Sequence, residues 1–291
     1  MKADISFPLK SLSATINALM PSTGQINLTK ELKAFANVKP REHISEPAFL
    51  WLLDGSLEIT LGKQKFSLMP GQVMITTMHL PAFYNVKSQS YLAVELSINS
   101  ACLNQVVSHI AYRFDERESL ETLTSFAKTS SSYEQLNTIE RLVSLIQADC
   151  SDSYPYELLV KELYYYVMTD NELHDLISHY IVHHDHNMVN TINFMACNYV
   201  KDLEIAKLAH MADLSVSSFY SHFKALTALT PQQYLKRMRL LKARSLLKGS
   251  YLKANEVAWA VGYISEQHFS RDYSKFFGLP PKTDARRGKI S

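Results

Sequence analysis

Two short segments near the end of the chain carry polar side chains of the kinds that read DNA bases. Each is expected to be a helix with aromatic residues facing inward. The side chains left for solvent, and therefore the candidate DNA contacts, are Ser217, Ser218, Tyr220, Ser221, Lys224, Glu266, Gln267, His268, Ser270, Arg271 and Lys275. Gln and Arg can form paired hydrogen bonds to adenine and guanine edges, which makes Arg271 the first candidate for base contact, followed by Gln267 and Tyr220. Any one of them can instead contact phosphate, since half or more of the hydrogen bonds in such interfaces do.

The segments that hold these side chains belong to a pattern that occurs twice. Asp213 stands four positions after Ala209, and Gly262 stands four positions after Ala258. Two aromatic residues four apart follow in each copy, and a proline stands eight residues after the second aromatic. The copies differ only in the turn, by one residue. A helix, a tight turn and a second helix in this order predict a helix-turn-helix, whose second helix enters the major groove.

Residue choices at the turns and helix ends agree with this interpretation. Asp213 tolerates the left-handed conformation that a tight turn needs, and Gly262 adopts it readily. Ser215 and Ser265 are expected to cap the recognition helices. Between the copies, Thr230, Pro231 and Gln233 predict the start of a long basic helix that ends near Gly249 and holds the two copies rigidly together.

Charge is distributed unevenly along the 291 residues. Residues 188–291 contain ten Lys and six Arg against seven Asp and Glu, a net charge of +9, whereas the whole chain has +2 and the remainder therefore −7. An acidic front and a basic back are typical of a regulator with a nucleic-acid-binding tail. No apolar run reaches the length of a membrane span, and no signal peptide is recognisable, so a cytoplasmic protein is expected. Three widely spaced cysteines indicate neither a disulfide framework nor a zinc site.

The front of the chain has a different organisation. Short alternating runs at 57–61, 72–77 and 91–97 predict strands of a small barrel or sandwich, and helical periodicity follows. The sequence therefore divides into a β-rich domain (1–105), a helical linker or dimerisation region (106–187) and the DNA-binding domain (188–291). Ile139, Leu142, Val143 and Ile146 form one apolar stripe, which is either domain core or a dimer seam.

Catalytic and metal-binding interpretations have little support. The segment 173–187 contains His174, His179, His183, His184 and His186, which is either a linker or surface cluster or a metal site, and His179 and His183 have ligand spacing. Metal chemistry needs several convergent ligands, and the strand region offers only His43 and His79. We therefore expect no catalytic residues, no metal and no cofactor.

At residues 188–288 the sequence resembles the DNA-binding domain of AraC-family transcriptional regulators. The resemblance is carried by Leu203-Glu-Ile-Ala-Lys-Leu-Ala, Ser215-Val-Ser-Ser-Phe-Tyr-Ser-His-Phe-Lys224, Thr230-Pro-Gln-Gln-Tyr-Leu-Lys-Arg-Met-Arg-Leu, Val257-Ala-Trp-Ala-Val-Gly-Tyr and Phe269-Ser-Arg-Asp-Tyr-Ser-Lys-Phe-Phe-Gly-Leu-Pro-Pro281. The segments Asp54-Gly-Ser-Leu-Glu-Ile, Met78-His-Leu-Pro-Ala-Phe, Tyr91-Leu-Ala-Val-Glu-Leu and Pro280-Pro-Lys-Thr-Asp284 are similar to a subgroup with a cupin-like N-terminal barrel. The chain departs from the family at Ser221, where arginine is usual, and at Asp213 and Ala228, where glycine is usual.

The resemblance implies an α+β multidomain protein, with an N-terminal small cupin-like β-barrel plus helices and a C-terminal all-α tandem helix-turn-helix domain. It implies a sequence-specific regulator of transcription that binds double-stranded DNA and contacts RNA polymerase when it activates. The N-terminal half of such proteins commonly binds a small effector or forms a homodimer. Trp51, Phe66, Phe83 and Tyr84 are candidates to line an effector pocket, or they are plain barrel core.

Overall fold

The computed structural model describes residues 5–21, 24–36, 41–61, 64–110, 126–170, 186–249 and 252–288. The chain forms two compact units, the first built mainly from residues up to His186 and the second mainly from Asn187–Ser291. None of the helices in the described ranges is long and apolar enough to cross a membrane. Gly62 and four of the clustered histidines, His174, His179, His183 and His184, lie outside the described residues.

The described residues contain one antiparallel sheet of eight strands, most of which belongs to the first unit. Its strands are β1 (Gln25–Asn27), β2 (Leu32–Ala36), β3 (Arg41–Ser45), β4 (Ala48–Leu61), β5 (Gln64–Leu68), β6 (Gln72–Thr76), β7 (Leu80–Ser97) and β8 (Phe126–Ser130). The order is β1-β2-β7-β4-β6-β8, with β3 on β7 and β5 on β4. The predicted cupin-like sheet is confirmed, and it is not closed among the described residues, where β1 and β8 end the order and do not pair with each other.

Two long strands replace several of the short ones predicted from the sequence. The run 57–61 is the end of the 14-residue strand β4, and the run 91–97 is the end of the 18-residue strand β7. Their pairing is irregular between Leu52 and Asp54 and between Gly55 and Leu57, so each long strand is bent rather than broken. Gly55 adopts a φ of 83°, and a Cβ there would overlap the carbonyl oxygen of Ser90. The glycine therefore marks a bend within one strand and not the end of a strand.

Helices cover one face of this sheet. They are α1 (Ser6–Leu19), α2 (Ser100–Ile110), α3 (Tyr133–Gln147) and α4 (Tyr154–Met168). Because side chains alternate along a strand, Phe49, Trp51 and Leu53 share the face that packs with these helices. Leu50 and Leu52 point to the opposite face and are also buried. Both faces of the first part of β4 are therefore covered, which explains the continuous apolar sequence of residues 48–53.

The apolar stripe of α3 belongs to this core. Ile139, Leu142 and Val143 are fully buried, and Ile146 packs against the same cluster. Of the two interpretations left open by the sequence, domain core is confirmed at this stripe. A dimer seam needs a different surface.

The second unit is helical in its main segment. Its helices are α5 (His186–Cys197), α6 (Ile205–Met211), α7 (Val216–Thr227), α8 (Pro231–Gly249), α9 (Ala254–Ala260), α10 (Glu266–Phe277) and α11 (Pro281–Gly288). Helix α8 begins with the predicted capping box: the backbone N–H of Gln233 donates to Thr230 Oγ1 at 3.3 Å, and that of Thr230 donates to Gln233 Oε1 at 3.1 Å. The predicted all-α tandem arrangement in this part of the chain is confirmed.

Candidate nucleic-acid interface

Helices α6 and α7 form the first helix-turn-helix. Asp213 lies in the turn with a φ of 55°, the left-handed conformation predicted for it. The turn is closed by a hydrogen bond from Leu214 N–H to the carbonyl of Ala209, at 3.0 Å. The Oγ of Ser215 then accepts from the backbone N–H of Ser218 at 3.2 Å, which caps α7 as predicted.

Helices α9 and α10 repeat this arrangement. Gly262 lies in the turn with a φ of 86°, and Tyr263 N–H donates to the carbonyl of Ala258 at 2.9 Å. In both copies the donor stands five positions after the equivalent alanine, Ala209 or Ala258. Ser265 caps α10 by accepting from His268 N–H at 3.4 Å. The duplication read from the sequence is therefore also a duplication of the backbone hydrogen bonds.

Pairs of aromatic residues hold both recognition helices from behind. Phe219 and Phe223 in α7, and Phe269 and Tyr273 in α10, are fully buried. The ring centroids are 5.6 Å apart in the first pair and 5.5 Å apart in the second. Since these residues fix which face of each helix is turned inward, they also fix which side chains remain outside.

The structure places the candidate DNA contacts on the outward side of α7 and α10. Ser217, Ser221, Lys224, Glu266, Gln267, His268, Arg271 and Lys275 are exposed, and Ser218, Tyr220 and Ser270 are half-buried. Two of the half-buried groups are already engaged: the hydroxyl of Ser218 accepts from Ser215 Oγ, and that of Tyr220 from the side-chain amide of Gln232. Contact of these residues with DNA stays a prediction.

The basic helix α8 directs several of its charges into the unit itself. The guanidinium of Arg239 donates to the carbonyl oxygens of Tyr199 at 2.7 Å and Lys201 at 3.0 Å. Lys236 Nζ lies 2.6 Å from Asp272 Oδ1 on α10. These contacts support the predicted role of α8 as a rigid connection. They also mean that the charge of this helix cannot be counted simply as phosphate-binding charge.

Asp284 of α11 is a second point at which α8 is fixed. It is 3% exposed and accepts hydrogen bonds from Arg244 Nε and from the hydroxyl of Tyr273, both at 2.8 Å. Lys248 Nζ lies 3.7 Å away. Burial alone would raise the pKa of this carboxyl, but the two hydrogen bonds and the two positive charges together lower it. The carboxylate thus joins α8, α10 and α11, a role that the sequence pattern did not reveal.

The turn of the second helix-turn-helix packs closely on the first part of the unit. A Cβ at Gly262 would overlap the backbone carbonyl of Val200, which follows α5. Gly278, at the end of α10, has a similar positive φ of 74° but has nothing within 4 Å of the corresponding position. Gly262 is therefore required both by its conformation and by a close approach of two backbone segments.

The four candidate effector residues do not converge on one site in the first unit. Trp51 is fully buried on the helix-packed face, where its Nε1–H donates to Gln135 Oε1 at 3.3 Å. Phe66 and Tyr84 lie on either side of Ile59 in adjacent strands and share its face. Phe83 is adjacent to Tyr84 along β7 and is exposed on the opposite face. Within the described ranges no three His, Cys, Asp or Glu side chains gather as a metal site would require.

Two family models match the chain. One is described as the AraC-type transcriptional regulator N-terminus and matches residues 30–174. The other is described as a helix-turn-helix domain and matches residues 208–287. The two matches coincide with the sheet unit and with the paired helix-turn-helix copies, respectively.

Curated relatives of this chain are transcriptional regulators. The probable transcriptional regulator LumQ of Photobacterium leiognathi is 25% identical over 250 residues, which cover 84% of this chain and 90% of LumQ. The activator RhaS of Escherichia coli (strain SE11) is 37% identical over 82 residues, and GbdR of Pseudomonas aeruginosa (strain UCBPP-PA14) is 32% identical over 98 residues. These two matches cover 28% and 34% of this chain, and only 29% of RhaS and 26% of GbdR.

Solved structures of ToxT from Vibrio cholerae share the fold. ToxT bound to (E)-4-(8-methylnaphthalen-1-yl)but-3-enoic acid has a TM-score of 0.60 at 10% identity and covers 89% of this chain and 100% of that one. ToxT bound to an unsaturated fatty acid has a TM-score of 0.58 at 12% identity and covers 91% of this chain and 96% of that one. At these identities the likeness concerns the fold alone.

Proposed function

Because the chain belongs to the AraC family of DNA-binding transcriptional regulators, we propose that α7 and α10 enter two adjacent major-groove segments of one duplex. The observation that carries this proposal is the repeated turn, closed by the same five-residue hydrogen bond in both copies. In helix-turn-helix proteins the early residues of the second helix contact base edges. Two such helices on one unit suit groove segments about one helical turn, 34 Å, apart.

Within this proposal, the exposed polar residues of α10 supply base recognition. Arg271 and Gln267 are exposed and carry the planar groups that match guanine and adenine edges. Lys224 and Lys275 are exposed cations on the two recognition helices, which suits contacts to phosphate. Ser221 gives α7 a shorter hydrogen-bonding group than the arginine usual in the family, so α7 is expected to contribute less affinity than α10.

Selection of bound sequences from a random duplex library, using the full chain, tests the proposal. A site with two conserved segments about ten base pairs apart is expected. Affinity for that site should fall steeply as salt rises, because neutralised phosphates release counterions, with a slope of about −0.9 per phosphate contact. A matched pair of variants, Arg271→Ala and Lys282→Ala, separates the recognition helix from an exposed cation outside it. Failure to enrich any sequence, or an affinity independent of salt, would contradict the proposal.

We further propose that the first unit regulates DNA binding through a small effector. The two ToxT ligands named above are both apolar carboxylic acids, which makes that chemical class the first to test. In this chain Ile59, Phe66 and Tyr84 share one sheet face, which is mainly apolar. The hydroxyl of Tyr84, which donates to Ser45 Oγ at 3.1 Å, places a polar group on that face. Oleic acid should raise the melting temperature of the full chain and change its affinity for the selected DNA. A melting temperature and a DNA affinity that oleic acid leaves unchanged would remove this ligand class.

The remaining partners also belong to the proposal. RNA polymerase is the partner expected of a transcriptional activator, and RhaS is named as an activator. Homodimerisation needs another surface than the buried stripe of α3, and Tyr154 and Leu158 offer one, since both are exposed on α4. Sedimentation of the wild-type full chain as a monomer would eliminate the dimer. If the wild type is a dimer, Leu158→Glu should dissociate it. No catalysis is proposed, and the cytoplasm is the proposed place of action.

A further inference from the structure

We propose that one face of α8 sets the distance and angle between the two recognition helices, and thereby the spacing of the DNA segments that the protein accepts. This inference depends on the proposed function. The face consists of Gln232, Lys236 and Arg239, which we call the brace. They stand at positions i, i+4 and i+7, so they project from one side of the helix.

Each member of the brace holds a different element. The side-chain amide of Gln232 donates to the hydroxyl of Tyr220 on α7. The ammonium of Lys236 lies 2.6 Å from the carboxylate of Asp272 on α10. Arg239 donates to backbone carbonyls of the segment that follows α5. One helix face therefore contacts both recognition helices and the segment that follows the first helix of the unit.

The carboxylate of Asp272 is held from two sides. Its second oxygen, Oδ2, accepts from the hydroxyl of Tyr263 at 3.4 Å. Burial, followed by the charge of Asp272 and this hydrogen bond, raises the pKa of Tyr263, so the phenol stays protonated and able to donate well above neutral pH. Because both oxygens are engaged, rotation of α10 about its axis would break at least one of these contacts.

The brace lines a cavity of about 270 Å³ within the second unit. Of the other lining residues, Leu235 lies on α8 itself. The rest come from segments before and after this helix in the chain: Asp202, Leu203, Ile205, Tyr263 and Asp272. The polar contacts of the brace therefore cross a groove rather than a close-packed apolar interface. Directed contacts of this kind specify orientation more narrowly than a non-directional apolar surface does.

Tyr220 and Asp272 are therefore positioning residues. Tyr220 is among the candidate base contacts, but its hydroxyl is engaged by Gln232. Asp272 follows Arg271 directly, yet its side chain is turned towards α8. A lone carboxylate near DNA would repel phosphate, and the partnership with Lys236 compensates that charge.

The experiment measures affinity of the full chain for a set of duplexes built on the selected site. One or two base pairs are inserted or removed between the two segments, and a further duplex keeps only the α10 segment. One inserted base pair moves the second segment by about 3.4 Å and rotates it by roughly 35°, since a turn takes about ten base pairs. A braced pair should therefore lose about tenfold or more in affinity on a one-base-pair change, equivalent to about 1.4 kcal/mol of misfit.

Asp272→Asn and Lys236→Met remove the ion pair between α8 and α10 and leave the apolar contacts of the two helices in place. Both variants are expected to tolerate the altered spacing, with losses under about threefold, while affinity for the single-segment duplex stays within about twofold of the wild type. Asp202→Asn is the matched control, because it removes an acidic charge from the same cavity without touching the brace. The exchanged pair, Lys236→Asp with Asp272→Lys, should restore the spacing preference.

The first recognition helix has its own test. If Tyr220 positions α7, Gln232→Leu should relax the spacing preference and leave the selected bases unchanged, and Tyr220→Phe should relax the spacing preference to the same extent. A change of base preference at one position in Tyr220→Phe alone would overturn the assignment and make Tyr220 a base contact.

The outcomes separate the two proposals. If the full chain enriches no site, the proposed function fails. If it enriches a two-segment site and the Asp272 and Lys236 variants keep the wild-type spacing penalty, the brace is refuted and the proposed function stands. Equal loss on every duplex, including the single-segment one, would likewise refute the brace, because it would indicate general destabilisation. Thermal melting of each variant provides the independent measure of folding.

Discussion

Replacing Gly262 with alanine should be far more damaging than replacing Gly278. Both glycines have φ values in the left-handed region, 86° and 74°. An alanine there carries a strain of about 1–2 kcal/mol, partly offset by the lower freedom of the unfolded chain, about 0.4–1 kcal/mol. The backbone conformation alone therefore predicts a cost of about 1 kcal/mol at either position.

The surroundings distinguish the two positions. The new Cβ at Gly278 has open space around it, whereas that at Gly262 would overlap the carbonyl oxygen of Val200. A backbone carbonyl cannot rotate away as a side chain can, so the segments must separate. Overpacking of this kind costs typically about 1–3 kcal/mol, which brings the total for Gly262→Ala to about 2–4 kcal/mol.

Hydrogen exchange of the full chain in increasing urea measures this cost in the relevant unit. Peptides from residues 252–288 report unfolding of the second helix-turn-helix separately from the sheet unit. Gly262→Ala should also weaken DNA binding, because Ser265 and the start of α10 follow the displaced turn by three residues. Gly278→Ala serves as the matched control. Equal losses of stability in the two variants would refute the argument that the approach to Val200 requires this glycine.

Three further outcomes are expected. Arg271→Ala should cost about 1–3 kcal/mol on the selected site and relax one base position, whereas equal losses on random DNA would reassign Arg271 to phosphate. Ala228→Gly should stabilise the unit by up to about 1 kcal/mol in urea unfolding, since Ala228 has a φ of 57°; a loss of stability would contradict the strain. Asp284→Asn should cost about 2 kcal/mol at pH 7, since it weakens the charge-assisted hydrogen bond from Arg244 and removes the charge partner of two partly exposed cations. Because the pKa of Asp284 is lowered in the folded state, its carboxylate stabilises the protein above the unfolded-state pKa, and this stability is lost as pH falls through the folded-state pKa. The free energies of unfolding of wild type and variant should therefore converge in acid. A difference that stays constant with pH would exclude this linkage.

The sequence by itself determined the two helix-turn-helix copies, because their signals are local. Alanine-to-turn spacing, serine caps and aromatic pairs four apart each depend on residues within one or two helical turns. The turn conformations of Asp213 and Gly262 were readable for the same reason, since φ is a property of a single residue. The resemblance to the AraC family that these segments carry is confirmed, and so is the α+β fold class.

The structure of the sheet unit was harder to predict from the sequence. Helix α1 buries Pro8, Leu12 and Ile16, but polar residues interrupt the pattern, and only packing on the rest of the unit supplies the driving force for its formation. Strand β4 was predicted only in part because Gly55 lies inside a bent strand, where a glycine resembles one at the end of a strand. The predicted domain limits and the DNA-contacting side chains stay predictions.

Only the tertiary structure decided which polar residues face the interior of the second unit. Along α8 the sequence shows a row of basic residues that would suit phosphate equally well. Asp272 and Asp284 engage Lys236 and Arg244, respectively, across 36 and 40 positions of the chain. A charge has no sequence signature for its partner when that partner is brought near by folding, because attraction depends on distance in space and not along the chain.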